Sequence, residues 1–145
     1  MRILVVDDDE RVRNALTVFV ESHDDFVLAG EAANGAQAVE LCQRLQPDVV
    51  LMDLVMPIMD GATATGWIHE SFPHIRIIIL TNSLEMEPIE AALQAGASTF
   101  LPKSVSVKRL AETLRSAHRS SGSLLTLPQP MLRAGADQRR RQSAD

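Results

Sequence analysis

The sequence predicts an α/β fold in which helices cover both faces of a five-stranded parallel sheet. Two observations carry this prediction. Short apolar runs alternate five times with segments of helical periodicity, and the links between them are short. The strand runs are apolar at consecutive positions, as expected for strands buried on both sides. Five such units end by residue 119, which suits one doubly wound domain and is too short for an eight-unit barrel.

Each element is predicted from its own pattern. The predicted strands cover residues 3–6, 26–30, 49–52, 75–80 and 98–101. The fourth is the most strand-like, because β-branched isoleucines dominate it. Four helices are predicted from apolar residues that recur on one face: Val12, Leu16, Phe19 and Val20; Ala38, Leu41, Cys42 and Leu45; Ile89, Ala92 and Leu93; and Val107, Leu110, Ala111 and Leu114. A weaker helix is predicted over residues 61–71, and Pro88 suits the first turn of the fourth helix.

The order of the strands follows from topology. Right-handed crossovers leave few arrangements, and the flavodoxin-like order 2-1-3-4-5 is the commonest for five strands. We therefore predict one domain over residues 1–119. Residues 120–145 are predicted to form a linker and polar tail, because serine, glycine, proline and a run of three arginines replace the periodic pattern there.

Composition limits the function classes. A net charge of -5 argues against nucleic-acid binding by the predicted domain itself. The sequence contains no apolar run of about 18 residues, the length needed to span a membrane. Cys42 is the single cysteine, which excludes an intramolecular disulfide and fits a reducing compartment. We expect a cytoplasmic protein without a membrane partner.

Chemically complementary side chains stand at the ends of four predicted strands: Asp7 and Asp8, Asp53, Thr81, and Lys103. Because the carboxyl ends of parallel strands meet at one edge, these groups should converge. Three close carboxylates repel, each pair by roughly 4 kcal/mol at an effective dielectric of about 20. Lys103 supplies one compensating charge, and a hard cation such as Mg²⁺ would supply the rest. Taken singly, Asp8 suits a helix cap equally well; the joint placement favours a site.

This pattern resembles the receiver domain of two-component response regulators, over residues 1–119. The matching positions are Asp7 and Asp8 after two valines, Asp53 with Pro57 and Gly61, Thr81, Gly96 and Ala97, and Phe100 with Lys103. Within the family, the chain is most similar to the NarL/FixJ-type, or LuxR-type, transcriptional regulators. This similarity rests on the sequence of residues 48–61 and on the lack of a proline after Lys103.

The resemblance implies a phosphorylation-controlled switch. Asp53 would accept a phosphoryl group from a sensor histidine kinase. Mg²⁺ would be held by Asp7, Asp8, Asp53 and the backbone carbonyl of Val55. The chain would not be an enzyme, apart from phosphorylating itself from a phosphodonor and dephosphorylating itself.

The resemblance also implies how the phosphoryl group is read. Thr81 and Lys103 would contact its oxygens, and Thr81 and Phe100 would act as the switch. Two residues depart from the usual pattern: Asn82 is larger than the residue expected after Thr81, and Pro102 precedes Lys103. The family's proline after the lysine, which often forms a cis peptide bond, is absent, so the isomer there stays open.

The output that the receiver would control is a separate prediction. In NarL/FixJ-type regulators a helix-turn-helix domain follows, whereas residues 131–145 are too short and polar for one, so DNA binding would need an output domain absent from this chain. A fragment, a stand-alone receiver acting by protein contacts, and a regulator without output all remain open. A homodimer formed on phosphorylation is a further expected state. An Asp-nucleophile phosphatase is disfavoured, because Val55 stands where a second acid is required.

Overall fold

The computed structural model of the protein describes residues 1–82 and 85–123. Five strands and five helices alternate along this part of the chain: β1 (Arg2–Val6), α1 (Glu10–Glu21), β2 (Val27–Ala32), α2 (Gly35–Leu45), β3 (Val49–Asp53), α3 (Gly61–Ser71), β4 (Arg76–Thr81), α4 (Met86–Ala95), β5 (Thr99–Pro102) and α5 (Val107–Ser123). The predicted alternation is confirmed.

The strands form one parallel sheet in the order β2-β1-β3-β4-β5, which confirms the predicted flavodoxin-like topology. β1 and β3 are flanked on both sides, and β3 is buried along its whole length. The register places Asp53 opposite Leu80 and Thr81 opposite Pro102. The carboxyl ends of β1, β3, β4 and β5 therefore lie side by side.

Helices pack on both faces of the sheet. Alternate residues of the strands enter two apolar cores, as the two-residue repeat of a strand requires. One core, with Val50, Met52 and Ile79, is closed by α2, α3 and α4. The other, with Leu51 and Ile78, is closed by α1 and α5. Because both faces are covered, polar side chains of the central strands reach solvent only at the strand ends.

Each strand differs from its prediction by one or two residues at one or both ends, and the last helix differs by more. The second strand was predicted to begin at Phe26 but begins at Val27, because the Phe26 N–H is donated to the His23 carbonyl within the preceding turn. The last helix continues to Ser123, past the predicted end of the pattern at Arg119. A helix that is already formed gains one hydrogen bond per added residue, so serine and glycine need not end it at once.

Part of the predicted linker and tail lies outside the described residues. This applies to residues 124–145, with the two prolines and the three arginines, and to Ser83 beside the predicted site. The linker and tail stay a prediction. Among the helices that the structure describes, none is both long and apolar enough to cross a bilayer.

Candidate functional site

The carboxyl edge of the sheet forms a cleft of about 450 Å³. Its lining contains every predicted metal, acceptor and phosphate-contacting residue: Asp7, Asp8, Asp53, Val55, Thr81 and Lys103, together with Asp9 and Asn82. Phe100, the other predicted switch residue, is not in this lining. The structure thus brings together residues that are up to 96 positions apart in the sequence.

Asp7 follows β1 directly and is held by four hydrogen-bonding partners. Its N–H donates to the Ala32 carbonyl at 3.1 Å, and its carbonyl accepts from Arg13 Nη1 at 2.7 Å. Its Oδ1 accepts from the Asp9 N–H at 2.9 Å, and its Oδ2 lies 2.7 Å from Lys103 Nζ. The residue is 1% exposed, so its carboxylate is both buried and fixed.

Asp53 is the last residue of β3 and is 6% exposed. Its Oδ1 accepts a hydrogen bond from the Leu54 N–H at 2.9 Å and lies 3.2 Å from Lys103 Nζ. Burial, and then the nearby charge of Asp7, raise the pKa of the Asp53 carboxyl to about 6. Lys103 and the Leu54 N–H act in the opposite direction without cancelling that effect.

Lys103 stands directly after β5, where its N–H donates to the Thr81 carbonyl at 3.0 Å. This backbone contact, one position past the end of the strand, aims the side chain between Asp7 and Asp53. Burial by itself would lower the pKa of the ammonium group, but the hydrogen bonds and charges of Asp7 and Asp53 outweigh it, so the pKa is raised. Lys103 is therefore a fixed positive charge between two buried carboxylates.

The raised pKa of Asp53 predicts how stability depends on pH. The folded-state pKa of about 6 lies above the ordinary value of 3.8, so the ionised Asp53 carboxylate lowers the free energy of unfolding at neutral pH. This penalty is complete above pH 6 and disappears as the pH falls towards 4. In EDTA, Asp53→Asn should therefore be more stable than the wild type by roughly 2 kcal/mol at pH 7.

Urea unfolding at several pH values tests this expectation. The advantage of Asp53→Asn should shrink towards zero as the pH is lowered to 4. Asp24→Asn is the matched control, because Asp24 is an exposed carboxylate in the turn at the opposite edge of the sheet. A stability difference for Asp53→Asn that is independent of pH would contradict the assigned environment of this carboxylate.

The carboxylates fit a hard divalent cation. Asp7, Asp8 and Asp53 each offer one oxygen, and these oxygens all lie within 4.8 Å of one another. Oxygen donors with room for water are the surroundings that Mg²⁺ prefers. Asp8 is exposed in the cleft, while the neighbouring Asp9 caps α1 by accepting from the Arg11 N–H. The helix cap considered for Asp8 is thus supplied by Asp9, and Asp8 stays available to a metal.

The loop between β3 and α3 is anchored at both ends. Asp60 caps α3 by accepting from the Thr63 N–H at 2.8 Å, and the Gly61 N–H donates to the Leu54 carbonyl at 2.8 Å. A Cβ atom on Gly61 would lie 2.1 Å from the Asp53 carbonyl oxygen, so only glycine allows this approach. Val55 lies in this loop, is 71% exposed and lines the cleft.

The two predicted switch residues lie in different surroundings. Thr81, the last residue of β4, is buried at 4% exposure in the cleft lining. Phe100, on the edge strand β5, is 36% exposed and lines a surface depression between β5 and α5. No cis peptide bond occurs in residues 1–82 and 85–123, so the bond after Lys103 is trans.

The prediction from sequence missed Arg13. This residue lies on α1, donates to the Asp7 carbonyl and reaches Glu31 on β2 with its Nε 3.5 Å from Oε1. In the sequence, no motif distinguishes Arg13 from the neighbouring Arg11. The two differ only in the folded chain, where Arg13 reaches the Asp7 carbonyl and the Arg11 side chain is 92% exposed.

Comparison with known proteins decides the family. Residues 3–115 match the family described as the response regulator receiver domain. The chain belongs to the response regulator receiver family. This confirms the resemblance seen in the sequence.

Individual relatives show which response regulators the chain is similar to in sequence and in structure. The chain is 35% identical over 119 residues to the response regulator protein VraR of Staphylococcus aureus, covering 82% of the chain and 57% of that protein. It is similar to the solved signal receiver domain of the putative response regulator NarL of Mycobacterium tuberculosis, with 29% identity, a TM-score of 0.76, and coverage of 81% and 95%. It is also similar to the response regulator domain of Thermotoga maritima CheB, with 32% identity, a TM-score of 0.76, and coverage of 82% and 96%.

These relatives support a NarL/FixJ-like receiver domain of a two-component response regulator. Domains of this family generally work in signalling and not as enzymes, interact with histidine kinases and typically bind Mg²⁺. The chain spans only about half the length of the curated VraR relatives that it matches.

Proposed function

We propose that this protein is a phosphorylation-controlled switch in which Asp53 accepts a phosphoryl group from a sensor histidine kinase. One observation carries the proposal. The buried Asp53 carboxylate lies 3.2 Å from Lys103 Nζ, in a cleft where oxygens of Asp7, Asp8 and Asp53 all lie within 4.8 Å of one another. A nucleophile, a fixed positive charge and a cation-binding cluster therefore share one place.

The proposed chemistry is transfer to a carboxylate. Asp53 Oδ1 is held by Leu54 and Lys103, so Oδ2 is the oxygen proposed to attack the phosphorus of a phosphohistidine. The new O–P bond forms as the P–N bond breaks, and the leaving imidazole keeps the electron pair and takes up a proton. The product is an acyl phosphate on Asp53. It records a signal and is not released as a product.

Charge neutralisation is the main demand of this step, because the transferred group carries negative oxygens. Mg²⁺, held by Asp7, Asp8, Asp53 and the carbonyl of Val55, would supply positive charge next to those oxygens. Lys103 is proposed to pair with one phosphoryl oxygen and move partly away from Asp7. The hydroxyl of Thr81 is proposed to donate to another.

The consequence of phosphorylation is proposed to be a change in the units around β4 and β5. Thr81 is a buried cleft residue and Phe100 a partly exposed residue on the next strand, so a shift of Thr81 towards the phosphate can bias the placement of Phe100. A phosphorylation-dependent homodimer is part of the proposal. Transcription control through a DNA-binding output domain is proposed from the NarL and LuxR-family relatives, with a stand-alone receiver as the alternative.

A cytoplasmic location completes the proposal. A cytosolic kinase domain would donate the phosphoryl group, and the single cysteine, Cys42, is fully buried and needs no oxidising compartment.

Incubation with acetyl phosphate and Mg²⁺, followed by intact-mass measurement, tests the proposed function. The wild type should gain one phosphoryl group, the gain should disappear in EDTA, and Asp53→Asn should gain none. Asp60→Asn is the control, because Asp60 is a carboxylate of the same loop that is committed to capping α3. Labelling of Asp53→Asn to the wild-type level would remove Asp53 as the acceptor. Continuous hydrolysis of phosphate esters would point instead to the phosphatase alternative.

A further inference from the structure

We propose that Arg13 is a positioning residue for the Mg²⁺-binding carboxylates; this inference rests on the proposed function. Arg13 reaches back from α1 to the end of β1, where its Nη1 donates to the Asp7 carbonyl at 2.7 Å. Its Nε lies 3.5 Å from Glu31 Oε1 on β2. One guanidinium thus ties the β1–α1 turn to the neighbouring edge strand.

The contact matters because of what else holds Asp7. Asp7 is 1% exposed, and its carbonyl accepts a hydrogen bond from the Arg13 side chain, which is itself 19% exposed. A buried carbonyl that loses its donor costs free energy, and we expect the β1–α1 turn to shift until this carbonyl finds another donor. Asp7 and Asp8 follow each other in this turn, so both carboxylates would shift relative to Asp53. The rigid fork of arginine suits this role, because one of its N–H groups donates to the Asp7 carbonyl while Nε lies within ion-pair distance of Glu31.

The direction in which Mg²⁺ affinity changes when Arg13 is removed distinguishes a positioning role from a purely electrostatic effect. Arg13 carries a positive charge beside an acidic site, so charge alone would weaken Mg²⁺ binding, and its removal would tighten it. Positioning predicts the reverse, since removal disorders the ligands. Arg11 provides the matched control: it lies two residues earlier on α1, its side chain is 92% exposed, and it pairs with Asp9 at 3.7 Å.

The experiment is calorimetric titration with MgCl₂, without a phosphodonor, on the wild type, Arg13→Gln, Arg13→Lys and Arg11→Gln. Losses of this kind in groups that orient metal ligands are typically 10-fold or more, so Arg13→Gln should raise the Kd for Mg²⁺ about 10-fold. Arg13→Lys, which keeps the charge but not the fork, should raise it by a smaller factor. Arg11→Gln should leave it unchanged or slightly lower.

The outcomes are separable. Arg13→Gln with a wild-type or lower Kd, like Arg11→Gln, would overturn the positioning role while leaving the proposed function intact. If Arg13→Gln fails to fold, Arg13→Lys decides: a raised Kd supports the role, and a wild-type Kd overturns it. Absence of Mg²⁺ binding in the wild type would overturn the proposed metal site and this inference together.

Discussion

Replacing Lys103 by methionine should destabilise the metal-free protein by roughly 2–4 kcal/mol at neutral pH. The reason is that Lys103 is the ammonium group between Asp7, 1% exposed, and Asp53, 6% exposed. Without it, two buried carboxylates repel each other with no compensation. Methionine keeps an apolar stem, which suits the cavity that Lys103 lines with Leu16 and Val105 between α1 and α5.

Mg²⁺ should restore most of the stability lost in Lys103→Met, because a divalent cation among the same carboxylates replaces the missing charge and binds only the folded state. Urea unfolding with EDTA or with excess MgCl₂ measures both effects. Lys108→Met serves as the control, since Lys108 is exposed on α5. An unchanged midpoint in EDTA, or a loss that Mg²⁺ does not reverse, would refute the role of Lys103 as the compensating charge.

Gly61→Ala should be among the most damaging single substitutions in this chain, with an expected loss of about 3 kcal/mol or more. The added Cβ would lie 2.1 Å from the Asp53 carbonyl oxygen and 3.0 Å from Leu54 Cα. Both neighbours are backbone atoms that cannot rotate away. Relief would have to come from moving α3 off the end of β3, which would also displace the Asp53 side chain.

Gly66→Ala is a matched comparison on the same helix. Its added Cβ would meet only the Ala95 Cβ at 3.8 Å, an ordinary contact. Replacing glycine by alanine inside a helix should then stabilise the protein by about 0.5–1 kcal/mol. Thermal unfolding of the two variants should therefore shift in opposite directions. A Gly61→Ala protein as stable as the wild type would mean that the loop after β3 is not held as tightly as its contacts indicate.

Much of the fold was predictable because its signal is local and repeated. Buried parallel strands need consecutive apolar residues, and the runs around Leu51 and Ile78 show them without ambiguity. Crossover handedness then left few strand orders, and the commonest of them for five strands is the one observed. The convergence of Asp7, Asp53 and Lys103 was also predictable. Each residue stands at the carboxyl end of a strand, and the carboxyl ends of parallel strands meet at one edge of the sheet.

Other features depend on how the chain closes in three dimensions. No sequence motif distinguishes Arg13 from Arg11, yet of these two residues Arg13 is the one whose side chain donates to the Asp7 carbonyl. Gly61 was recognised as part of a motif, but the reason for glycine is a backbone approach that no local pattern encodes. The position of Phe26 before β2 was missed for a similar reason. Its ring is buried with its centroid 5.9 Å from that of Phe19, as a strand residue's could be. Its N–H, however, donates to the His23 carbonyl in the preceding turn.

Trapping the acyl phosphate tests the central claim most directly. The wild type is phosphorylated with acetyl phosphate and Mg²⁺, reduced with borohydride, which converts an acyl phosphate to an alcohol, and digested for peptide sequencing by mass spectrometry. The reduced residue should be Asp53 alone, in a fraction that falls to background when Mg²⁺ is chelated. Reduction at Asp7, Asp8 or Asp60 with Asp53 unmodified would contradict the assignment of Asp53 as the phosphoacceptor.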